Sequence, residues 1–380
     1  MPRPRVLLLD SAFSALPIHA ALASLDIDLW VMGGRPDDVL AREAGARWVE
    51  QDYSQVEAVR RWVSAHDCHL VVPGCTDVSL NTAAALGVSP HIDPPAVIDA
   101  LGNKLKFRAL CRDLDLPAPE AVSPDELPRK GTYICKPADS FSGRGITVFD
   151  GLDRDAIARA AQRAGETSVS GTAVFEEFVE GQLYSYSAFL AETGVAQAFF
   201  VREGSSANRF AVDTSYVVRD IPSTVAAALA RCADRLRTHL GLRDGLLHIQ
   251  FILRDGRPFL IEATRRCPGD LYALLIEYST GYPYAAHYAA AMIGRTVEGG
   301  PDEGRLVLRH TVTSSRHRLN TGLLFTRPLA TRAFFPLQKL GEALLPDQKA
   351  RSGILFVDVP HPEAAEATYD AFLARDVYKD

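Results

Sequence analysis

Two short apolar segments, separated by a turn, carry the side chains of this chain that are best suited to chemistry. His248-Ile249-Gln250 lies in the first segment, and Glu262-Ala263-Thr264-Arg265-Arg266 ends the second. The Gln250 amide and the Glu262 carboxylate offer the hard oxygen donors that Mg2+ prefers when it also binds substrate phosphate. The guanidinium of Arg266 would stabilise the charge of a phosphoryl group in transfer. The pattern predicts phosphoryl transfer, with a half-exposed hairpin of scattered polar residues as the alternative.

The register of this hairpin decides whether the oxygen donors converge. Alternate residues of a strand share one face, so Gln250 and Glu262 meet only if they pair across the hairpin. A two-residue turn at Asp255-Gly256 would pair Gln250 with Ile261 and separate the donors. A three-residue loop, with the glycine as a left-handed bulge, pairs residues of equal parity and brings the donors together. We predict this second register, in which Thr264 shares the face of Glu262.

A second candidate site is the lysine that ends the predicted strand 133–136. The polar loop 139–145 follows it, and Gly143 and Gly145 allow backbone N–H groups to approach phosphate oxygens. The ammonium group of Lys136 would add a compact positive charge for the same phosphates. The loop lacks the GxxxxGK[ST] pattern of a P-loop, and a strand-ending lysine beside a glycine-rich turn also has a purely structural interpretation.

Consecutive glutamates in an apolar segment form the third candidate. Phe175-Glu176-Glu177-Phe178-Val179 belongs to the predicted strand 173–179, although glutamate disfavours strands and resists burial. One interpretation is an edge strand whose charges face water. The other is a connector that recognises adenine, in which backbone groups bind the base, apolar side chains pack on the ring and a carboxylate binds a ribose hydroxyl.

Strands and helices alternate over the first hundred residues. The predicted strands are 6–9, 28–32 and 69–74, and the predicted helices are 17–25, 56–66 and 78–86. Continuous apolar strands between helices are typical of a parallel sheet that is covered on both faces and binds ligands at the carboxyl ends of its strands. The absence of GxGxxG removes the fingerprint of a dinucleotide site.

The organisation changes after residue 100. Residues 103–114 form a predicted basic helix, and from about residue 133 predicted antiparallel strands are combined with the long helix 224–240. This mixture indicates an α+β unit. Short strands and a helix at 362–375 are predicted in the tail. The predicted fold class is therefore α/β followed by α+β.

Charge and cysteine content exclude several classes of protein. The net charge of -6, from 41 Lys+Arg and 47 Asp+Glu, gives no broad cationic surface for a nucleic-acid backbone. No run approaches the length of a membrane span. The six cysteines include no CxxC pair and no zinc spacing, which is typical of reduced thiols. We expect a cytoplasmic protein that binds neither nucleic acid nor a membrane.

Together these motifs resemble the ATP-grasp superfamily of carboxylate–amine and carboxylate–thiol ligases, which includes biotin carboxylase, carbamoyl phosphate synthetase and D-alanine–D-alanine ligase. The order and spacing of the motifs over residues 1–300 carry the resemblance. The matching segments are residues 72–77, Asn103-Lys104 with 116–119, Cys135-Lys136-Pro137, 176–179, and 262–266 with Gln250 as partner.

The resemblance implies a preATP-grasp, Rossmann-like domain at residues 1–100 and a two-lobed ATP-grasp domain at 101–300, with a lid at about 125–185. Residues 301–380 would complete the ATP-grasp core. ATP and Mg2+ are the implied cofactors, and Mn2+ is an alternative metal. Whether the protein forms a homodimer is left open. The expected ATP-binding residues are Lys104, Lys136, Ser142, Gly143, Glu176, Glu177, Phe178, Val179 and Glu180. Gln250, Glu262 and Thr264 are the expected metal ligands, and Arg266 is the expected catalytic residue.

Three positions depart from the family pattern. Thr264 stands where asparagine is usual, so a water ligand is expected in its place. Gln250 stands where many members carry a carboxylate. Leu183 occupies a position where a ribose-binding glutamate is common, which leaves Glu180 for that role.

Substrate-binding residues are predicted among the polar and cationic residues near the motifs, because a guanidinium pairs bidentately with a carboxylate. The candidates are His248, Arg265, Gly269, Asp270 and Arg309, together with Arg202, Ser205, Arg209 and His310. For Arg265 the favoured interpretation is an ordinary surface ion pair. The implied activity is activation of a small carboxylate, such as an amino acid, as an acyl phosphate that is then coupled to an amine. A bicarbonate-using carboxylase and a non-catalytic ATP-binding regulatory protein are the alternatives.

Overall fold

The N-terminal segment folds as a four-stranded parallel sheet in the order β3-β2-β1-β4. The computed structural model describes residues 3–140, 143–301, 304–314, 316–345 and 351–379. The elements of this segment are β1 (Arg5–Leu9), α1 (Leu16–Ala23), β2 (Asp28–Gly33), α2 (Val39–Ala44), β3 (Trp48–Glu50), α3 (Val56–Ala65), β4 (Leu70–Pro73) and α4 (Asp77–Leu86). Successive residues of β1, from Val6 to Leu9, are all fully buried. Both faces of the central strand are therefore covered, which confirms the predicted parallel α/β architecture.

Two consecutive helices, α5 (Pro95–Gly102) and α6 (Lys104–Asp113), lead away from this sheet. Asn103 separates them, because its backbone is extended and its side-chain oxygen accepts hydrogen bonds from the N–H groups of Leu105 and Lys106. This cap places Lys104 at the first position of α6. Arg108 follows one turn later, so its side chain lies on the same side of the helix as Lys104.

A small lobe contains a three-stranded antiparallel sheet in the order β6-β5-β7 and one helix. Its elements are β5 (Thr132–Pro137), β6 (Thr147–Asp150), α7 (Arg154–Thr167) and β7 (Ala173–Glu177). Tyr133, Cys135 and Phe175 pack in the core beneath α7. Because side chains alternate across a strand, Lys136 and Glu176 lie on the opposite face of this sheet.

An eight-stranded antiparallel sheet in the order β12-β11-β8-β9-β10-β13-β18-β16 forms the centre of the chain. The remaining elements are β8 (Gln182–Ala191), β9 (Gly194–Gly204), β10 (Thr214–Val218), α8 (Ser223–Leu240), β11 (Gly245–Arg254), β12 (Arg257–Thr264), α9 (Tyr272–Thr280), α10 (Tyr284–Met292), β13 (Leu306–Thr313), β14 (Arg318–Leu319), β15 (Leu324–Phe325), β16 (Thr331–Pro336), β17 (Ala343–Leu344), β18 (Arg351–Val359), α11 (Pro362–Leu373) and β19 (Tyr378–Lys379). Helices α8 and α11 cover one face of the sheet, and α9 and α10 cover the other.

Strands from beyond residue 300 belong to this central sheet, because β13 pairs with β10 and β18 pairs with β13. The combination of a parallel N-terminal sheet with a large antiparallel sheet confirms the predicted fold class. The boundaries at residues 100 and 300 stay predictions. Among the described helices, none combines the length and the apolar character that crossing a bilayer requires.

The hairpin of β11 and β12 has the predicted pairing for an unpredicted reason. Arg254 pairs with Arg257 across a two-residue turn whose residues both have positive φ, so the predicted three-residue loop is wrong. The register then shifts at Gln250, where Ile261 is an extra residue on β12. This β-bulge restores equal parity, so that Gln250 pairs directly with Glu262.

Candidate active site

The two predicted oxygen donors lie side by side on the central sheet. Gln250 pairs with Glu262, and His248 pairs with Thr264, so the side chains of all four residues lie on one face. Glu262 is exposed and Gln250 is half-buried. Within the described residues no group of three or more His, Cys, Asp or Glu side chains could hold a metal. One carboxylate and one amide oxygen do fit Mg2+, which takes its other ligands from substrate phosphate and water.

Arg266 joins this site to the N-terminal sheet. Its Nε lies 2.6 Å from Oδ1 of Asp77, and its Nη2 donates to Oδ2 of the same carboxylate at 3.2 Å. Asp77 begins α4, directly after the loop at the carboxyl end of β4. Burial raises the pKa of Asp77, but the charges of Arg266 and Lys104 outweigh burial and hold that pKa below its usual range. The guanidinium is therefore fixed in orientation while about a fifth of the side chain stays exposed.

A buried charge cluster lies on the inner face of the small lobe. Lys136 Nζ donates to Oε2 of Glu176 at 2.6 Å, and Arg108 Nε lies 2.7 Å from Oε1 of the same carboxylate. All three side chains are nearly inaccessible to solvent. Burial lowers the pKa of Lys136, and the two cations hold the pKa of Glu176 below its usual range despite its burial. Two cations share one carboxylate, so the cluster carries excess positive charge, as a phosphate site requires.

Sequence reasoning missed Arg108, although its spacing of four residues from Lys104 was a usable signal. Its Nη2 donates to the backbone carbonyl of Ile261 at 2.9 Å. Ile261 is the bulged residue that sets the pairing of Gln250 with Glu262. Arg108 thus connects the buried lysine–glutamate pair of the small lobe to the strand that carries the oxygen donors.

Lys104 contacts the start of the glycine-containing loop, where its Nζ donates to the carbonyl of Ser140 at 2.7 Å. Its charge affects the pKa values of both Lys136 and Asp77. The structure thus brings Lys104, Lys136 and Arg266 into one neighbourhood. Ser142, a predicted ATP-binding residue, lies outside the described residues.

Gly143 is required by the packing of the protein itself. Its φ is +67°, and an added Cβ would lie 2.6 Å from the carbonyl oxygen of Phe210. Gly171 has a similar φ of +71° but nothing within 4 Å of an added Cβ. Alanine at either position incurs the cost of a left-handed backbone, about 1–2 kcal/mol.

We predict that Gly143→Ala lowers the free energy of unfolding by about 1–3 kcal/mol more than Gly171→Ala, because only the first change also overpacks its surroundings. Denaturant unfolding of the two variants measures this difference. Equal losses in both variants would show that the contact with Phe210 yields without cost.

A cavity of about 770 Å³ opens beside the predicted adenine connector. Glu177, Phe178 and Glu180 line it, and Arg209 stacks 4.9 Å above the ring of Phe178. The cavity is also lined by Glu120, Val122, Arg129, Lys130, Gly131, Thr132, Tyr133, Val148 and Arg254. Its volume lies within the range of about 300–1,000 Å³ that small-molecule sites occupy. Val179 is buried, so its side chain packs in the core.

Three predicted substrate contacts lie elsewhere. Arg265 is buried, with Nε 2.6 Å from Asp93 Oδ2 and its other nitrogens donating to backbone carbonyls of residues 243–245. Both its predicted surface position and its predicted role as a substrate contact are therefore wrong. Arg202 pairs with Glu366 near α11, and His310 contacts Thr214 and Tyr378. The side chains of Arg202 and His310 lie on the face of the sheet opposite Gln250, because successive side chains along a strand point to opposite faces.

His248 is a neutral member of a buried hydroxyl network. Its Nδ1 lies 2.7 Å from Ser187 Oγ, which also contacts the hydroxyl groups of Tyr272 and Tyr284. Burial, with a smaller effect from the charge of Arg266, lowers the pKa of His248 to about 3. The imidazole is therefore uncharged at neutral pH and cannot serve as a cationic contact for a carboxylate.

Asp270 and Arg309 form an ionic cluster at the other end of the same face. Arg309 donates to Ser215 Oγ and to the backbone carbonyl of Asp270, both at 2.9 Å. Arg351, which sequence reasoning missed, pairs with the Asp270 carboxylate. An added Cβ at Gly269 would find only Ser14 Oγ, at 3.9 Å, so this turn borders the first loop of the N-terminal sheet.

Glu203 is a further polar residue of this face that was missed. It ends β9 next to Gln250, whose Nε2 donates to Glu203 Oε2 at 2.6 Å. Burial raises the pKa of Glu203 to about 7. No local pattern in the sequence indicates this contact, because its two partners are 47 positions apart in the chain.

Comparisons with known proteins identify one domain of the chain. Residues 131–273 match the ATP-grasp domain, whereas a sequence comparison with curated proteins finds no significant match. Among solved structures, the L-amino acid ligase from Bacillus licheniformis is similar, with a TM-score of 0.76, 16% identity, and coverage of 100% of this chain and 98% of that one. Phosphoribosylglycinamide synthetase from Anaerococcus prevotii gives a TM-score of 0.75, 15% identity, and coverage of 99% and 98%.

A biotin carboxylase from Campylobacter jejuni, solved as a complex with β,γ-ATP, gives a TM-score of 0.74, 12% identity, and coverage of 99% of this chain and 92% of that one. At these identities the structural likeness shows the fold. The matched ATP-grasp domain spans the small lobe, the predicted adenine connector and the hairpin of β11 and β12. The match confirms the predicted resemblance to the ATP-grasp superfamily for residues 131–273.

Proposed function

We propose that this protein is an ATP-dependent ligase that activates a small carboxylate, in particular an amino acid, and couples it to an amine. One observation carries the proposal. The paired oxygen donors Gln250 and Glu262, the oriented guanidinium of Arg266 and the cationic pair Lys104 and Lys136 belong to one neighbourhood.

Each group has a defined task in this reaction. Lys104 and Lys136 bind the phosphates of ATP, and the connector around Phe178 binds the adenine in the adjoining cavity. Gln250 and Glu262 would hold Mg2+, with Mn2+ as an alternative, and the bound metal would supply neutralisation of phosphate charge. The carboxylate oxygen of the substrate attacks the γ-phosphorus while the bond to ADP breaks, and Arg266 stabilises the equatorial oxygens.

The second half of the reaction forms the amide bond. The amine attacks the acyl carbon of the acyl phosphate, the bond to phosphate breaks, and the amine loses a proton. The cluster of Asp270, Arg309 and Arg351 offers both signs of charge to a zwitterionic substrate. The full-length likeness to an L-amino acid ligase supports this substrate class. Free thiols at all six cysteines support a reducing, cytoplasmic setting, and a homodimer is compatible with the proposal.

A bicarbonate-using carboxylase is the second candidate, because biotin carboxylase has the same fold at a similar TM-score. A phosphate-release assay over pairs of amino acids, run beside an assay with bicarbonate alone, separates the two candidates. We expect ADP and phosphate only when an amino acid and an amine are both present. Turnover with bicarbonate alone would establish the carboxylase. ATP binding without ADP formation with any carboxylate would indicate a regulatory protein.

A further inference from the structure

Glu203 is a buried carboxylate that the reaction proposed above leaves without a role. Only 3% of its surface is exposed, and it contacts one of the two proposed metal ligands at 2.6 Å. Ser185, which pairs with Gln250 across β8 and β11, also forms a hydrogen bond to Glu203. The charges of Arg309 and Glu262 act on it in opposite directions. A carboxylate buried among so few cations is costly unless it makes specific contacts.

The contact matters because an amide, unlike a carboxylate, has two different ends. A carboxylate presents an oxygen to a metal in either orientation, whereas Gln250 presents either Oε1 or its NH2 group. In its ionised form the Glu203 carboxylate only accepts hydrogen bonds, so it binds the NH2 group and not Oε1. The hydrogen bond from Nε2 to Glu203 therefore leaves Oε1 as the free atom of the Gln250 amide.

We propose that Glu203 is a positioning residue that holds the Gln250 amide with Oε1 toward the metal. The pair of Glu203 and Gln250 then replaces the single carboxylate that many superfamily members carry at the position of Gln250. This inference rests on the proposed function, because it requires that Gln250 and Glu262 bind a divalent metal together with a nucleotide.

The test measures metal affinity directly, by titrating Mn2+ into the protein with ADP present and following free Mn2+ by electron paramagnetic resonance. The first variant, Glu203→Gln, keeps the size of the side chain but no longer enforces one orientation of the amide. We expect Mn2+ affinity to fall at least about tenfold, as is usual when the partner of a metal ligand is lost. Glu277→Gln is the control, because Glu277 is another largely buried carboxylate, on α9, and its hydrogen bond within the described part of the chain comes from the backbone N–H of Ala285.

The second variant exchanges the two residues, with Glu203→Gln and Gln250→Glu in one chain. The hydrogen bond between the two positions is retained and a carboxylate now faces the metal, so Mn2+ affinity should return to at least the wild-type value. Wild-type affinity in Glu203→Gln alone, or no recovery in the exchanged variant, would overturn the inference. Failure of the wild-type protein to bind Mn2+ with ADP would overturn the proposed function as well, so the two failures are distinguishable.

Discussion

Glutamine in place of Glu262 should lower kcat for ATP-dependent turnover by about 10²–10³-fold and leave the fold intact. Glu262 supplies the only carboxylate of the proposed metal pair, and a bound metal contributes several kcal/mol of transition-state stabilisation, each 1.36 kcal/mol being tenfold in rate. The Glu262 side chain is exposed and Gln250 is its cross-strand neighbour. Its replacement therefore opens no cavity, and the free energy of unfolding should change by less than about 0.5 kcal/mol.

The measurement combines steady-state turnover with denaturant unfolding of the same preparation. Glu57→Gln, an equally exposed carboxylate on α3, makes the same change of charge far from the hairpin and should have wild-type turnover. A tenfold rise in the Mg2+ concentration should recover part of the activity of Glu262→Gln, because the remaining donors still bind the metal weakly. Full activity of Glu262→Gln at ordinary Mg2+ concentration would remove Glu262 from the metal site.

The hairpin illustrates how far sequence patterns reach. The pairing of Gln250 with Glu262 was predicted correctly, but from strand alternation combined with a three-residue loop that the structure does not have. Alternation and spacing did not reveal that a tight turn at Asp255 would be corrected by a bulge at Ile261. The carbonyl of that bulge is bound by Arg108, a residue 153 positions away in the chain. A bulge that depends on a long-range hydrogen bond leaves no local signal, which is why the pairing was predicted and its cause was not.

Burial of charge was the other property that local patterns could not provide. Arg265 lies between Thr264 and Arg266, two polar neighbours, yet Asp93 and three backbone carbonyls surround it in the interior. Glu203 lies near the end of β9 and was given no role, although its contact with Gln250 lies within the proposed site. In both cases the deciding partner is distant in sequence.

The second large effect is expected at Glu176, where glutamine should lower the free energy of unfolding by about 3–5 kcal/mol, the usual cost of breaking a buried ion pair. Lys136 and Arg108 both rely on this carboxylate and are themselves buried. Lysine can lose its proton to escape an unpaired charge, but the guanidinium of Arg108 cannot. Glu177→Gln is the matched control, because the neighbouring side chain on β7 is exposed and its contact with Arg254 spans 3.7 Å; its effect should be below about 0.5 kcal/mol.

The pH dependence of the stability difference between the wild type and Glu176→Gln shows whether the ion pairs of Glu176 cause it. The pKa of Glu176 in the folded protein lies below the ordinary value of 4.5, because Lys136 and Arg108 outweigh the effect of burial. Its stabilising contribution is therefore complete above the ordinary pKa and is lost as the pH falls through the folded pKa. Urea unfolding of the wild type and of Glu176→Gln should give stabilities that differ most at neutral pH and converge below pH 4.5. A difference that stays constant over this range would mean that glutamine disturbs packing and that the ion pairs contribute little, because a packing defect does not titrate.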